Sequence, residues 1–324
     1  MSGARPACGG NQEYGQLPAK VWHFARTGTL SDLVALEAAS IHYADIDVCH
    51  YSTHNGWTGG AHPHSGDIRE GHQVEPPNFA HIHGADGLLW TYLLTGIKRL
   101  KDTAVEMGDF VLANMPPHGS YSQVRFSRWG EGHSTFGTYD GVRECGLPLQ
   151  AVCTAYEITG NDKYLQTAHR LADYALRLQD PEEGFLETAW YFAASRHARV
   201  GARYDINPAL VQYRELTRDR RVERFFVKMA DFLLDPPQKN AEYIMHRFRV
   251  RNWFSGAENP ESWAFSARFS PRRRELVHVL RERFISEKYN SFRPDHQELN
   301  SNAKQLGYLT VAGHCAVGLL ADPR

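Results

Sequence analysis

The sequence lacks several features that would assign the protein to a class quickly. No apolar stretch in its 324 residues approaches the ~20 residues of a membrane-spanning helix. The N-terminus has neither the basic start nor the apolar core of a secretory signal. The five cysteines are odd in number and include no CxxC pair, which indicates reduced thiols rather than a disulfide framework. We therefore expect a cytoplasmic protein without a membrane partner.

An excess of charge of either sign is also lacking. The chain has 36 Lys and Arg residues against 37 Asp and Glu residues, and its isoelectric point is near 7.0. A balance of this kind gives no electrostatic reason to bind nucleic acid or an anionic membrane. Neither partner is expected, and the sequence carries no signal of a particular oligomeric state.

Histidine, in contrast, is concentrated in one stretch. Seven of the seventeen histidines lie between His50 and His83, in HYSTHNGWTGGAHPHSGDIREGHQVEPPNFAHIH. Glycine, proline and asparagine interrupt this stretch too often for a helix or a long strand. A loop of this length inside a compact protein is usually functional, and its aromatic content is not that of a solvated linker. It is the first candidate for a ligand site.

A metal site is one alternative for this loop. The pairs His62/His64 and His81/His83 have HxH spacing, which in an extended chain places both side chains on one side. Together with Asp67 or Glu75 they would suit zinc. No HExxH or cysteine-containing zinc pattern accompanies them. We therefore expect no metal cofactor, with a metal ion at the histidine-rich loop as the alternative.

The most regular signal is an internal repeat. Residues 84–114 match residues 148–178 without a gap at an offset of 64, and residues 210–234 follow at a further offset of 58. A looser copy begins at Thr27. Each unit combines an apolar helix, a tight turn and an amphipathic helix. The shared positions are a threonine at the turn and an aspartate in the second helix: Thr27, Thr95, Thr159 and Thr217, then Asp45, Asp109, Asp173 and Asp231.

Repeated helical hairpins of this kind predict an all-α protein with a shared core. The four hairpins and the helices expected in 236–324 together give ten to twelve helices. This number suits an (α/α)6 toroid, a six-hairpin barrel, better than an open solenoid. We predict a single domain over 1–324, with an irregular N-terminal segment over 1–19.

The repeat also predicts where the long loops lie. The turn within each hairpin is short, so all these turns share one side of the ring. The connections between hairpins are long, over 51–83, 115–143 and 179–205, and in an up-and-down array they must emerge on the opposite side. One rim would then carry the histidine-rich loop and two loops rich in Trp, Tyr, Arg and carboxylates.

A pocket that mixes aromatic faces with polar groups suits saccharides, whose C–H faces pack on rings while their hydroxyls form hydrogen bonds. The side chains predicted to bind substrate at this rim are Tyr51, Asn55, Trp57, His81, Trp129, His133, Glu144, Arg203 and Tyr204. Trp90 and Tyr92 lie within an apolar helix and are interpreted as core residues, as are Cys145 and Cys153.

The sequence also resembles a known family. The stretches FARTGTLSDLVALEAASIHYADIDVCHY, GGAHPHSGD and ADGLLWTYLLTG are similar to the toroidal domain of the exo-rhamnogalacturonan lyase/YetA-like family. The resemblance covers roughly residues 20–235. Members of that family carry β-rich domains before the toroid, and no stretch of this sequence resembles those domains. It implies a carbohydrate-active enzyme with an oligo- or polysaccharide as its substrate.

Resemblance and rim residues together predict a polysaccharide lyase that cleaves uronic-acid-containing glycans of the pectin or rhamnogalacturonan type by β-elimination. A histidine from His54, His62, His64 or His83 would remove the C5 proton. Tyr139 or Tyr51 would protonate the leaving oxygen, and Arg143 or Arg203 with Asn55 would neutralise the carboxylate.

Two alternatives stay open. The first is a glycoside hydrolase on the same scaffold, including an unsaturated-uronide hydrolase. It would use two carboxylates from Asp86, Asp140, Glu144 and Glu187. The second is a carbohydrate-binding helical domain without catalysis.

Overall fold

The computed structural model describes most of the predicted hairpins. The described residues are 15–53, 56–62, 77, 79–115, 142–182, 184, 186–188, 198–200, 206–235 and 260–281. At residues 80, 142–144, 186–188, 198–200, 260 and 261 the description is limited to the backbone.

Ten α-helices lie within these residues, and they pair into five antiparallel hairpins. The hairpins are α1 (Gln16–Thr27) with α2 (Leu30–His42), α3 (Ala85–Thr95) with α4 (Lys98–Asn114), α5 (Val142–Thr159) with α6 (Asp162–Arg177), α7 (Asn207–Thr217) with α8 (Arg220–Leu234), and α9 (Pro260–Phe269) with α10 (Arg273–Leu280). A π-helix, Tyr43–Asp47, extends α2, and a 3-10 helix, Phe79–His81, precedes α3.

The helices form two layers. The first helix of each hairpin contacts the first helix of the next, in the order α1, α3, α5, α7 and α9. The second helices pack outside them, and α4, α6 and α8 are amphipathic with their buried sides turned inward. This arrangement is the double ring that the repeat predicts.

The repeated threonine closes three of the turns. The hydroxyls of Thr95, Thr159 and Thr217 donate to the carbonyl oxygen four residues earlier, at 2.8, 2.7 and 2.8 Å. Each hydroxyl oxygen also accepts from the backbone N–H two residues later, at 3.3, 3.2 and 3.3 Å. Between them, Gly96 and Gly160 adopt positive φ values of 75° and 64°, which end the helix in the left-handed conformation.

The repeated aspartate links neighbouring hairpins around the outer layer. Each one forms an ion pair with a cation at the start of the second helix in the next hairpin. The pairs are Asp45–Arg99 at 2.5 Å, Asp109–Lys163 at 2.9 Å, Asp173–Arg221 at 2.6 Å and Asp231–Arg272 at 3.4 Å. The aspartates recur in the sequence because each repeat makes this same contact.

Replacing Asp109 by alanine should lower the free energy of unfolding by about 1 kcal/mol, because it removes an exposed ion pair and a hydrogen-bond acceptor of the Tyr164 hydroxyl. Urea denaturation at low and high salt measures the effect, which salt should reduce. Asp102→Ala, which breaks a pair within α4, is the control. An Asp109 effect no larger than the control's would contradict a role in linking hairpins.

Two details differ from the sequence prediction. Helix α1 begins at Gln16, so residues 16–19 are helical rather than irregular, because Leu17 and Ala19 are buried in the core and α3 lies close by. A Cβ atom at Gly87 would lie 2.7 Å from that of Leu17. The connection after α6 contains two short antiparallel strands, β1 (Leu186–Thr188) and β2 (Ala198–Val200), with Glu187 opposite Arg199.

The cysteines behave as expected where they are described. Cys49, Cys145 and Cys153 are buried and form no disulfide, and the last two lie in the hydrophobic core as predicted. In the described part of the chain, no helix combines the length and the apolar character needed to cross a membrane.

Candidate active site

The histidine-rich stretch begins by folding back on the end of the first hairpin. Val48 and Ala61 form an antiparallel bridge, and the N–H of Cys49 donates to the Gly60 carbonyl at 2.9 Å. The N–H of His62 donates to the Asp47 carbonyl at 2.8 Å. The side chains of Asp47 and His62 are both buried, so His62 enters the interior next to the π-helix.

Two glycines bring this loop against α4. A Cβ atom at Gly59 would lie 2.0 Å from the carbonyl oxygen of Glu106. One at Gly60 would lie 2.4 Å from the Cβ of Pro77 and 2.5 Å from the ring of Phe110. Only glycine fits at either position, so the position of this glycine pair in the sequence fixes where the loop meets the outer helix α4.

Side chains of α4 hold the same loop. The amide of Asn114 donates to the carbonyl oxygens of Gly56 at 2.7 Å and Phe110 at 2.9 Å. His50 donates from Nδ1 to Glu106 Oε2 at 2.6 Å. His50 therefore has a structural role, which the abundance of histidine in this stretch conceals.

Replacing Asn114 by alanine should open the loop locally. The change removes two hydrogen bonds, so we expect a loss of about 1–2 kcal/mol and faster proteolytic cleavage within 51–62. Asn161→Ala is a matched control, since it removes the helix cap of α6, in which Asn161 Oδ1 accepts from the Lys163 N–H at 3.1 Å. The control should lose a similar amount of stability, but its cleavage within 51–62 should not change. Equal cleavage of the two variants would contradict the local role of Asn114.

His81 and His83 lie at the end of the 3-10 helix, directly before α3. The side chains are 5 % and 1 % exposed. The N–H of His83 donates to the His81 carbonyl at 2.9 Å, which closes a tight turn. In this turn the two imidazole rings meet edge to face, with centroids 6.4 Å apart. The pair is therefore not the extended HxH arrangement expected from the sequence.

Asp86 follows in the first turn of α3 and is 3 % exposed. Its Oδ1 accepts from the Gly87 N–H at 2.8 Å, and its Oδ2 accepts from the side-chain amide of Gln150 in α5 at 3.1 Å. Burial raises the pKa of the Asp86 carboxyl to about 7, and the charge of Glu157 adds to the rise. Asp86 is thus an acid that titrates near neutral pH.

Further polar contacts join the next inner helices. Gln212 in α7 donates to Thr154 Oγ1 at 3.1 Å and to Glu157 Oε2 at 2.6 Å, both in α5. Asp86 and Gln150 are 64 residues apart, and Thr154 and Gln212 are 58 apart, which are the two offsets of the repeat. Gln150 and Gln212 were missed by the sequence reasoning, although the repeat register could have identified them.

Five of the predicted site residues have described side chains. His62, His81 and His83 are buried. Trp57 is half-buried, and Tyr51 is 83 % exposed. The structure therefore places the three histidines in the interior and Tyr51 at the surface of the same loop.

The remaining predicted residues lie outside the described part of the chain and stay predictions. They are His54, Asn55, His64, Trp129, His133, Tyr139, Arg203 and Tyr204. Arg143 and Glu144 lie in the first turn of α5, where only the backbone is described.

No three His, Cys, Asp or Glu side chains among the described residues are grouped so that they could hold a metal ion. His64, Asp67 and Glu75, the other ligands considered for the loop, lie outside those residues. The expectation of a site without a metal cofactor therefore stays a prediction.

Comparison with known proteins gives structural relatives only. No protein-family model matches the chain, and no curated protein does. Solved structures that resemble it include a sugar epimerase from a ruminal bacterium, with a TM-score of 0.55 and 13 % identity over 97 % of this chain and 77 % of that one. Cellobiose 2-epimerase from Bacillus thermoamylovorans has a TM-score of 0.53 and 11 % identity, over 95 % and 76 %.

The Lin0763 protein from Listeria innocua is similar at the same level, with a TM-score of 0.54 and 12 % identity over 96 % of this chain and 87 % of that one. At these identities the likeness concerns the fold. The predicted all-α (α/α)6 toroid is confirmed, and the short β1–β2 hairpin is a minor addition to it.

Proposed function

We propose that the protein is a carbohydrate-active enzyme that transfers a proton to or from a sugar carbon, with buried histidines as its acid and base. The observation that carries this proposal is the grouping at one end of the inner ring. His81 and His83 directly precede α3, and Asp86, whose pKa is about 7, opens it. Groups that titrate near neutrality suit proton transfer.

One reaction of this type is β-elimination on a uronic-acid-containing glycan. His62 or His83 would take the C5 proton, with His54 and His64 as the further candidates. Arg143 or Arg203 with Asn55 would neutralise the carboxylate, and Tyr139 or Tyr51 would protonate the leaving oxygen. The pairing of an arginine fork with a carboxylate favours a uronide. The other residues proposed to bind the sugar are Trp57, His81, Trp129, His133, Glu144 and Tyr204.

Sugar epimerisation is the second reaction of the same type. Two of the structures that resemble this chain are described as sugar epimerases. Inversion at a carbon next to a carbonyl requires an acid and a base but no cation to neutralise a carboxylate. The described histidines and Asp86 would supply those two groups.

One incubation distinguishes these reactions. The protein is mixed in D2O with digalacturonate, rhamnogalacturonan oligosaccharides or cellobiose, and near-ultraviolet absorbance, reducing ends and NMR spectra are followed. Absorbance indicates a lyase, whereas deuterium at a sugar carbon with a new epimer indicates an epimerase. Reducing ends without either signal would indicate a hydrolase, and binding without turnover would indicate a binding domain; both would overturn the proposal.

The same assay tests the histidines. His83→Gln should lower the rate by about 100-fold or more, because general acid–base groups contribute on that scale. His62→Gln provides a second variant if the first unfolds, and near-ultraviolet circular dichroism verifies folding. His278→Gln, on the exposed side of α10, is the matched control and should keep the full rate.

A further inference from the structure

One face of the inner helix α3 is turned away from the outer helix α2. On α3 this face carries Asp86 and Trp90, which are four residues apart, whereas Thr91 faces α2 and bonds to Ser40 at 3.0 Å. The same repeat positions on α5 are Gln150 and Thr154. These residues contact the neighbouring inner helices, so the face lines the axis of the ring.

This axial face changes from closed to open along the helices. Asp86 is 3 % exposed, whereas Leu93, two turns further on, is 69 % exposed. Glu157, at the position on α5 that corresponds to Leu93, is open to solvent, yet surrounding protein raises the pKa of its carboxyl. The face runs for about 10 Å from Asp86 to Leu93.

Two indole rings lie next to each other at this face. Trp22 of α1 and Trp90 of α3 are stacked, with ring centroids 6.0 Å apart and planes at 30°. Both are half-buried rather than enclosed in the core, which differs from the interpretation of Trp90 as a core residue. Packing between α1 and α3 would explain the contact between the rings but not their remaining exposure.

Unsatisfied acceptors lie on the same inner helices. Oε1 of Gln212 and Oδ1 of Asn207 are buried and accept no hydrogen bond from any described residue. Asn207 is fully buried at the start of α7, and its amide donates to Ser262 of α9 at 3.4 Å. A buried acceptor without a donor is unfavourable by about 1–3 kcal/mol, so a ligand hydroxyl that donates to either oxygen would be stabilised at this position.

We propose that the axial face is a saccharide subsite, with Trp22 and Trp90 as its aromatic platform and Asp86, Gln150, Asn207 and Gln212 as its polar contacts. The C–H face of a pyranose packs on indole, and its hydroxyls donate to the amide oxygens of Asn207 and Gln212 and bond with the Asp86–Gln150 pair. This subsite deepens the proposed function and rests on it, since it holds the sugar beside His81 and His83.

Binding of two defined probes tests the subsite. Cellobiose and digalacturonate are titrated by calorimetry into the full chain and into Trp90→Ala, which should bind about ten-fold more weakly, or about 1.4 kcal/mol. Trp90→Phe keeps an aromatic face and should bind only about three-fold more weakly. Tyr92→Ala is the control: it removes a half-buried aromatic from the other side of α3, beneath Lys101, and should leave affinity unchanged.

The outcomes separate the subsite from the reaction. Equal affinities of Trp90→Ala and the unaltered chain would overturn the subsite, even if turnover occurs. The subsite is supported, even if no turnover is found, when affinity falls in the Trp90 variants but not in Tyr92→Ala. The melting temperatures of Trp90→Phe and Tyr92→Ala should then be similar. Failure of the unaltered chain to bind either probe would overturn it as well.

Discussion

Replacing Gly59 by alanine is expected to lower the free energy of unfolding by about 3 kcal/mol or more. The added Cβ atom would lie 2.0 Å from the carbonyl oxygen of Glu106, which belongs to the backbone of α4 and has little freedom to move. Gly59 also has a φ of 83°, a conformation that alanine adopts at a cost. The loop must therefore move away from α4, and His62 with it.

Gly28→Ala separates the two contributions. Gly28 has a φ of 63°, but no atom lies within 4 Å of an added Cβ. The control should therefore lose only the conformational part, about 1 kcal/mol. Chemical denaturation measures both variants, and hydrogen exchange over 48–62 locates the change. Equal losses would show that the close approach to Glu106 is unimportant.

The hairpins were predictable because their markers act locally. Thr159 bonds to the carbonyl of its own helix and to the next N–H, so its position in the sequence defines a turn without reference to the rest of the fold. Asp109 and Asp173 make one kind of contact to the following repeat, so a recurring aspartate follows from a recurring geometry. Local rules of this kind are visible in a sequence.

The axial face was not predictable in the same way. An inner helix such as α3 is apolar and enclosed on most sides, so its periodicity does not distinguish the ring axis from the core. Trp90 was interpreted as core for this reason, and Trp22 lies in a helix whose start the sequence reasoning missed. The HxH rule failed at His81 and His83 because a turn replaces the extended chain there.

Asp86→Asn is expected to abolish a loss of stability that the unaltered chain undergoes as pH rises. In the folded protein, burial raises the pKa of Asp86 from 3.8 to about 7, with the charge of Glu157 acting in the same direction and the Gly87 N–H opposing it. The amide of asparagine has nearly the same shape. Rotation of the Gln150 amide would let its oxygen accept from the new NH2 group, so the contact between α3 and α5 is kept.

The direction of this pH dependence follows from proton binding. Between pH 3.8 and about 7 the folded protein holds a proton on Asp86 that the unfolded chain has released, so the free energy of unfolding falls as pH rises. Below this window the favourable contribution is fully present, and above it the contribution is lost. The total change is about 4 kcal/mol at 1.36 kcal/mol per pH unit. Asparagine cannot ionise and lacks this dependence.

Denaturation curves measure the difference in the free energy of unfolding between Asp86→Asn and the unaltered chain. They are recorded at about pH 4, 6 and 8, which spans this window. The variant should gain stability relative to the unaltered chain as pH rises, by about 4 kcal/mol in all. Asp102→Asn, on the exposed side of α4, controls for the loss of a carboxylate and should show no such trend. A difference that stays constant with pH would mean that Asp86 does not carry its proton near neutrality, and its proposed part in proton transfer would then fall with it.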